Sequence, residues 1–292
     1  MVGSIPLNMD ALADNPEQDR LRGDGTREVL SDLAYKQLAI VNVVFYGEPG
    51  CGDDKWVLID AGLFGTAEMI QSAARDRFGG EGRPGAIVLT HGHFDHVGVL
   101  ERLAERWDVP VFAHPTEFPF LDGRQSYPPP DPSVGGGLIA TLSPLFPRDP
   151  VNVASRLKPL PHDMAAAGMP GWTFIETPGH TAGHVSFWRE RDRALIAGDA
   201  FVTTKQESVY AAVTQAPEIH GPPAYFTPDW SAARDSVRRL AELEPETVIT
   251  GHGAAMHGAA MREALTTLAL NFEQIAVPEH RRAELRPAPR AS

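Results

Sequence analysis

Short apolar runs bounded by glycine and proline alternate along this chain with longer stretches whose apolar positions keep helical spacing. Leu38 to Tyr46 reads as one strand, closed by Gly47-Glu48-Pro49-Gly50, and Trp56 to Ile59 as the next, ending at Asp60-Ala61-Gly62. Thr66 stands where a helix cap belongs, and the helix runs to about Phe78, where Gly79-Gly80 stops it. Ala86-Ile87-Val88-Leu89, opened by Arg83-Pro84-Gly85, reads as a buried strand. A helix from about Asp95 to Trp107 follows, with Val97, Leu100, Leu103, Ala104 and Trp107 at helical spacing, and then a strand from Val109 to Ala113. Further strands are predicted at Trp172–Glu176, Val185–Trp188, Ala194–Ala197 and Thr247–Thr250. Thr227 as cap and Pro228 at the first helical position open a helix to about Leu243, and a last helix covers roughly Ala259 to Ile275. Strands and helices interleaved in this way predict an α/β fold.

Several spans break the pattern. Residues 1–25 are polar and unpatterned and read as a flexible leader, and the Pro- and Arg-rich residues 278–292 as a mobile tail. Between them, 26–277 is expected to be a single catalytic domain. Inside it, about 114–171 carries Tyr127-Pro128-Pro129-Pro130-Asp131-Pro132 and Gly135-Gly136-Gly137. A long insertion with aromatic content (Phe118, Phe120, Tyr127, Phe146) predicts a packed lid, with Phe118, Tyr127 and Phe146 as substrate contacts. A second proline-containing stretch, Thr203 to Pro228, offers Lys205, Tyr210 and His220 for the same role.

The lone cysteine, Cys51, excludes an intramolecular disulfide framework and suggests a cytoplasmic enzyme. No apolar run approaches a membrane span, so no membrane partner is expected. A formal charge of −12 argues against a polyanionic partner such as nucleic acid and leaves a small-molecule substrate. Oligomeric state is left open, a homodimer included.

The chemistry is concentrated in Thr90-His91-Gly92-His93-Phe94-Asp95-His96, directly after an expected strand. His91 and His93, two apart on extended backbone, aim their rings at one point. Asp95 and His96 follow where the chain turns into a helix and aim at a second point nearby. Imidazole nitrogen and carboxylate oxygen suit divalent metals such as zinc, and no cysteine is needed. The same arrangement recurs: short apolar strands also end at Asp60, Asp199 and His252, and His180 follows another by a few residues.

His91-Gly92-His93-Phe94-Asp95-His96, Thr177-Pro178-Gly179-His180-Thr181-Ala182-Gly183-His184, Gly198-Asp199-Ala200 and Gly251-His252-Gly253 together resemble the ordered motifs of the metallo-β-lactamase superfamily. The resemblance spans roughly Leu38 to Ile275 and implies a four-layer αββα sandwich with two metals at one edge of the paired sheets. Carried across, one metal would take His91, His93 and His180, the other Asp95, His96 and His252, with Asp199 bridging. Two divalent ions, expected to be zinc with iron or manganese as alternatives, would share a hydroxide for hydrolysis. Asp95 would then pass a proton to the leaving group. Asp60 is expected behind the ligands as an acceptor fixing an imidazole, and His184 as a supporting residue.

True metallo-β-lactamases carry cysteine or serine at the bridging position, so Asp199 implies that β-lactams are not the native substrate. The Thr-Pro-Gly-His-Thr-x-Gly-His string resembles glyoxalase II and the acyl-homoserine lactonases more closely. The glutathione-holding segment of the former is not found, and Val202 stands where the latter carry a tyrosine. The expected activity is hydrolysis of an ester, thioester or lactone with an apolar acyl part. The alternative is an iron-dependent persulfide dioxygenase-like oxidoreductase on the same fold.

Overall fold

The computed structural model describes residues 3–7, 20–131, 150–204 and 218–285. Two sheets pack face to face, with helices on both outer sides, as an αββα sandwich. The larger sheet runs in sequence order: Arg20–Leu21, Arg27–Leu30, Leu33–Leu38, Val41–Tyr46, Val57–Ile59, Ala86–Val88, Val111–Ala113 and Leu157–Pro159. Its pairs are antiparallel as far as Val57–Ile59 and parallel beyond it. The smaller sheet has the order Trp172–Glu176, Val185–Arg189, Ala194–Gly198, Thr247–Thr250, Met256–His257. Only Ala194–Gly198 and Thr247–Thr250 pair parallel in it.

Burial on both faces explains why the strands are so uniformly apolar. In Val41–Tyr46 every residue is buried: Val41, Val43 and Phe45 pack with the helices Ala67–Phe78 and Leu100–Trp107, while Val44 and Tyr46 join the core between the sheets. On the far side, the helices Trp230–Glu242 and Gly258–Leu270 cover the second sheet through Trp230, Val237, Leu240, Met261, Leu265 and Leu268. Asn42 is the polar exception within Val41–Tyr46. Its amide donates to Thr250 O (3.0 Å) and Gly253 O (2.7 Å), tying the first sheet to the loop that carries His252. Arg189 crosses between the sheets in the same way, paired through both guanidinium nitrogens with Asp32 (2.7 and 2.9 Å) and lying over the Trp172 ring at 4.7 Å.

Several expected elements differ. The run Leu38–Tyr46 is two strands joined by a tight hairpin, Leu38 opposite Val41, with Ala39 in the left-handed region at φ 58°. No glycine or asparagine marks that turn, so the apolar run conceals it. The helix expected over Asp95–Trp107 is broken at Gly98-Val99 into Phe94–Val97 and Leu100–Trp107, Gly98 N donating to Gly62 O at 2.7 Å. The last helix is likewise Gly258–Leu270 followed by the short Phe272–Ile275. Neither threonine caps as expected. Thr66 donates its hydroxyl to Leu63 O, and the helix after Thr227 starts at Trp230 with Asp229 accepting from Ala232 N at 2.9 Å.

Part of the expected insertion is regular: a 3-10 turn Pro115–Glu117, a helical turn Phe118–Leu121, and Leu157–Pro159, which extends the larger sheet. Within the expected leader, Ile5–Pro6 pairs with Glu218–Ile219, and Gly3 N donates to Ile275 O. In the span read as a tail, Glu279–Leu285 forms 3-10 turns that bury Leu285. Among the described residues no helix is long and apolar enough to cross a membrane.

Candidate metal centre

Loops at the ends of four strands converge. His91, His93, Asp95 and His96 follow Ala86–Val88; His180 follows Trp172–Glu176; Asp199 follows Ala194–Gly198; His252 follows Thr247–Thr250. All seven side chains are buried. Their donor atoms form three overlapping groups, His91/His93/His180, His91/His96/Asp199 and Asp95/His96/His252, each with its atoms within 4.8 Å of one another. Asp199 Oδ2 lies between the outer groups, 3.1 Å from His252 Nε2, 3.4 Å from His180 Nε2 and 3.6 Å from His96 Nε2.

Protein acceptors fix the imidazoles so that their coordinating nitrogens face inward. Asp60 Oδ2 accepts from His96 Nδ1 (2.9 Å) and from the Thr90 hydroxyl (2.8 Å), while Asp60 Oδ1 accepts from Thr90 N. With its proton spent on Asp60, Thr90 Oγ1 is the acceptor for His91 Nδ1–H at 3.0 Å. Ile40 O, in the hairpin turn, accepts from His252 Nδ1 at 2.6 Å. Thr227 Oγ1 donates to Pro223 O and therefore accepts from His180 Nδ1 at 3.2 Å. In the neutral imidazoles this leaves Nε2 of His91, His96, His180 and His252 as the lone-pair atoms. His91 Nε2, His96 Nε2 and Asp199 Oδ1 are buried without a hydrogen-bond partner. Buried acceptors left unpaired cost about 1–3 kcal/mol each, so their convergence suits divalent cations.

His184 does not join the donor groups. Its Nε2 accepts from Asp199 N (2.9 Å) and its Nδ1 pairs with Thr177 Oγ1 (2.8 Å), so it fixes the backbone of Asp199. Burial lowers its pKa to about 4.

Electrostatically the centre has two halves. Burial, reinforced by neighbouring imidazoles, holds His91 and His180 well below the ordinary histidine pKa, and burial takes His93 to about 3. In the other half burial also opposes protonation, but Asp199 and Asp95, with Asp60 for His96, outweigh it and raise both His96 and His252. Asp199 is held well below the carboxylate range; burial opposes this, but His252 and His96 prevail.

A cavity of about 340 Å³ opens onto His93 and His180. Phe120, Tyr127, Tyr225, Phe226 and Trp230 form its aromatic walls, Pro128 and Pro129 one rim, and Asp131 and Arg281 contribute charge. Of the expected substrate contacts, Tyr127 lines this cavity. Phe118 instead packs against the core under the first helix layer, because the short turn Phe118–Leu121 directs Phe120, not Phe118, to the cavity. His220 is also buried elsewhere, bridged to Val202 on the backbone. Phe146, Lys205 and Tyr210 lie outside the described residues. Sequence reasoning missed Tyr225, Phe226, Trp230 and Arg281; the aromatic content beside the expected Thr227 cap was the one signal for the first three, and Arg281 had none.

A family model for the metallo-β-lactamase superfamily matches residues 38–252. The chain belongs to the metallo-β-lactamase superfamily. The probable metallo-hydrolase YflN of Bacillus subtilis (strain 168) is 46% identical over 236 residues, covering 81% of this chain and 89% of its own. The probable metallo-hydrolase YybB of the same organism is 29% identical over 204 residues, 69% of this chain and 77% of its own. Among solved structures, the metallo-β-lactamase family protein TTHA1429 from Thermus thermophilus shares the fold at a TM-score of 0.53 and 20% identity, covering 84% of this chain and 80% of its own. The chain is thus a superfamily hydrolase with His/Asp clusters suited to a divalent metal.

Proposed function

We propose that this superfamily member is a dinuclear zinc hydrolase of esters, thioesters or lactones with an apolar acyl part. The observation that carries the reading is the aromatic cavity of about 340 Å³ opening directly onto His93 and His180. Such a wall desolvates an apolar acyl group and leaves its carbonyl beside the donor groups. His91, His93 and His180 would hold one ion, Asp95, His96 and His252 the other, and Asp199 would serve both. When bound, the ions supply Lewis acidity and a water acidified toward neutrality.

The chain's own residues do the rest. Asp60, Thr90, Ile40 and Thr227 keep the imidazoles in the metal-binding tautomer. Asp95, with a side chain 11% exposed against 3% for Asp199, would be the carboxylate that moves the proton. It would take the proton of the attacking water and give it to the leaving oxygen or sulfur. The walls exclude bulk water from the acyl group.

The test is metal analysis of the purified protein with a panel of aryl, alkyl, thioester, lactone and β-lactam substrates and an oxygen electrode. Two equivalents of zinc and turnover rising with acyl hydrophobicity are expected. A single iron with oxygen consumption would move the chain to the persulfide dioxygenase-like class.

A further inference from the structure

Glu117 is absent from the motifs of the sequence, yet it is fully buried and both its carboxylate oxygens are occupied. Oε2 accepts from Gly92 N at 3.1 Å and from the Tyr127 hydroxyl. Oε1 accepts from the Thr181 hydroxyl at 2.8 Å and from Gly183 N at 2.9 Å. Gly92 stands between His91 and His93, and Thr181 directly follows His180. One side chain therefore joins the two loops that carry the three-histidine group, and joins both to the Tyr127 wall of the cavity.

Two glycines bear the mark of the same contact. Neither Gly92 nor Gly183 has a positive φ, so their backbone conformation does not call for glycine. Space does. A Cβ at Gly183 would lie 2.7 Å from Glu117 Oε1, and one at Gly92 would lie 2.7 Å from the Tyr127 hydroxyl and 3.4 Å from Glu117 Oε2. The glycines inside the two histidine motifs are thus the clearance that lets the carboxylate reach both loops.

We infer that Glu117 is a positioning residue that sets the separation of the His91-Gly92-His93 and His180 loops, and with it the three-histidine metal site. The inference rests on the metal-binding reading above. Both oxygens must accept, which is why a carboxylate is used. In Glu117→Gln the amide NH2 faces Gly92 N–H and the tyrosine hydroxyl, or else the Thr181 hydroxyl and Gly183 N–H. The hydroxyls can rotate to accept, but a backbone N–H cannot, so one loop is pushed away. Tyr127, which donates to Glu117 and accepts from Gly92 N at 3.1 Å, is thereby a fixed wall that presents its ring, not its hydroxyl, to the cavity.

The experiment measures zinc affinity of each equivalent by chelator competition, and apoprotein melting, for wild type, Glu117→Gln, Gly183→Ala and the double variant. The equivalent lost in His180→Ala identifies the three-histidine site. Expected are a tenfold or greater weakening of that equivalent in each single variant, less than threefold change at the other, and a double variant no weaker than the worse single. Thr181→Val, which removes one donor, should give a smaller loss at the same equivalent and serves if the others do not fold. Equal weakening of both equivalents, unchanged affinities with a lowered melting temperature, or additive effects in the double variant would overturn the positioning role. Wild type that binds a single ion would sink the dinuclear reading instead, while the effect of Glu117→Gln on that ion still tests this one.

Discussion

Asp60→Asn removes the acceptor that His96 Nδ1 and the Thr90 hydroxyl share and leaves the contact to Thr90 N in place. The amide oxygen can still accept from Thr90 N, as Asp60 Oδ1 does at 2.8 Å. The NH2 then faces His96 Nδ1, which in the native protein donates to Asp60 Oδ2 at 2.9 Å. His96 must either lose that bond or shift its proton to Nε2, the atom required for the metal. Losing the partner of a buried donor costs about 1–3 kcal/mol. Loss of a residue that orients a ligand typically weakens metal affinity about 10–100-fold, or roughly 1.4–2.7 kcal/mol, and the two ranges agree. The loss should fall on the ion held by Asp95, His96 and His252. The three-histidine ion, reached from Asp60 only through Thr90 Oγ1, should change much less. Stepwise zinc competition at fixed pH reads both constants. Two native affinities in a folded Asp60→Asn protein would reduce Asp60 to a strand-end staple, and equal loss at both ions would mean a general loosening.

Proton release on metal binding should differ between the two ions. His91, His93 and His180 have lowered pKa values and bind neutral, whereas His96 and His252 have raised ones and must shed protons. Affinity of the second site should therefore fall more steeply as pH drops through the raised values; calorimetry in buffers of different ionisation enthalpy counts the protons, and equal release at both steps would contradict the asymmetry. Asp95→Asn, reloaded to full metal occupancy, should lose most on alkyl esters and least on activated aryl esters or thioesters; a uniform loss leaves Asp95 without a proton-transfer role. Phe226→Ala removes cavity wall worth about 1.5–3 kcal/mol of apolar burial, so kcat/KM for bulky acyl substrates should drop roughly ten- to hundredfold while short acetyl esters are spared. Arg189→Ala leaves Asp32 with the exposed Arg191 as its remaining partner at 2.8 Å and should lower stability by about 1.5–3 kcal/mol in denaturant melts, with KM unchanged in the folded fraction.

Much of the sandwich was legible because strands buried on both faces must be apolar throughout, and short runs such as Ala86–Val88 and Thr247–Thr250 stand out between glycines. The strands toward the Arg20–Leu21 edge of the larger sheet did not stand out: Arg27–Leu30 and Leu33–Leu38 mix polar and apolar residues with no clean period. The Ala39 turn carries no local marker, and the lone Gly98 does not place a break that its hydrogen bond to Gly62 O holds. The ligand-bearing motifs could be found because histidine and aspartate at strand ends have few other reasons to cluster. Glu117 could not, because an acidic residue after His-Pro-Thr looks solvated until the fold brings Gly92 and Gly183 against it. The cavity walls Tyr225, Phe226 and Trp230 were equally silent, their role depending on where an irregular segment crosses the sheet edge.

The converging donors belong to different halves of the molecule. His91, His93, Asp95 and His96 extend from the eight-stranded sheet, and His180, Asp199 and His252 from the five-stranded one. Ions bound between them, as proposed, would act as a removable cross-link across the seam. A ligand that binds only the folded state at one hundred times its dissociation constant adds about 2.7 kcal/mol of stability per site. Metal supply would then govern how often the seam opens to proteases. A chain synthesised in a metal-poor cell would be short-lived as well as inactive, and its abundance would report the metal available when it was made.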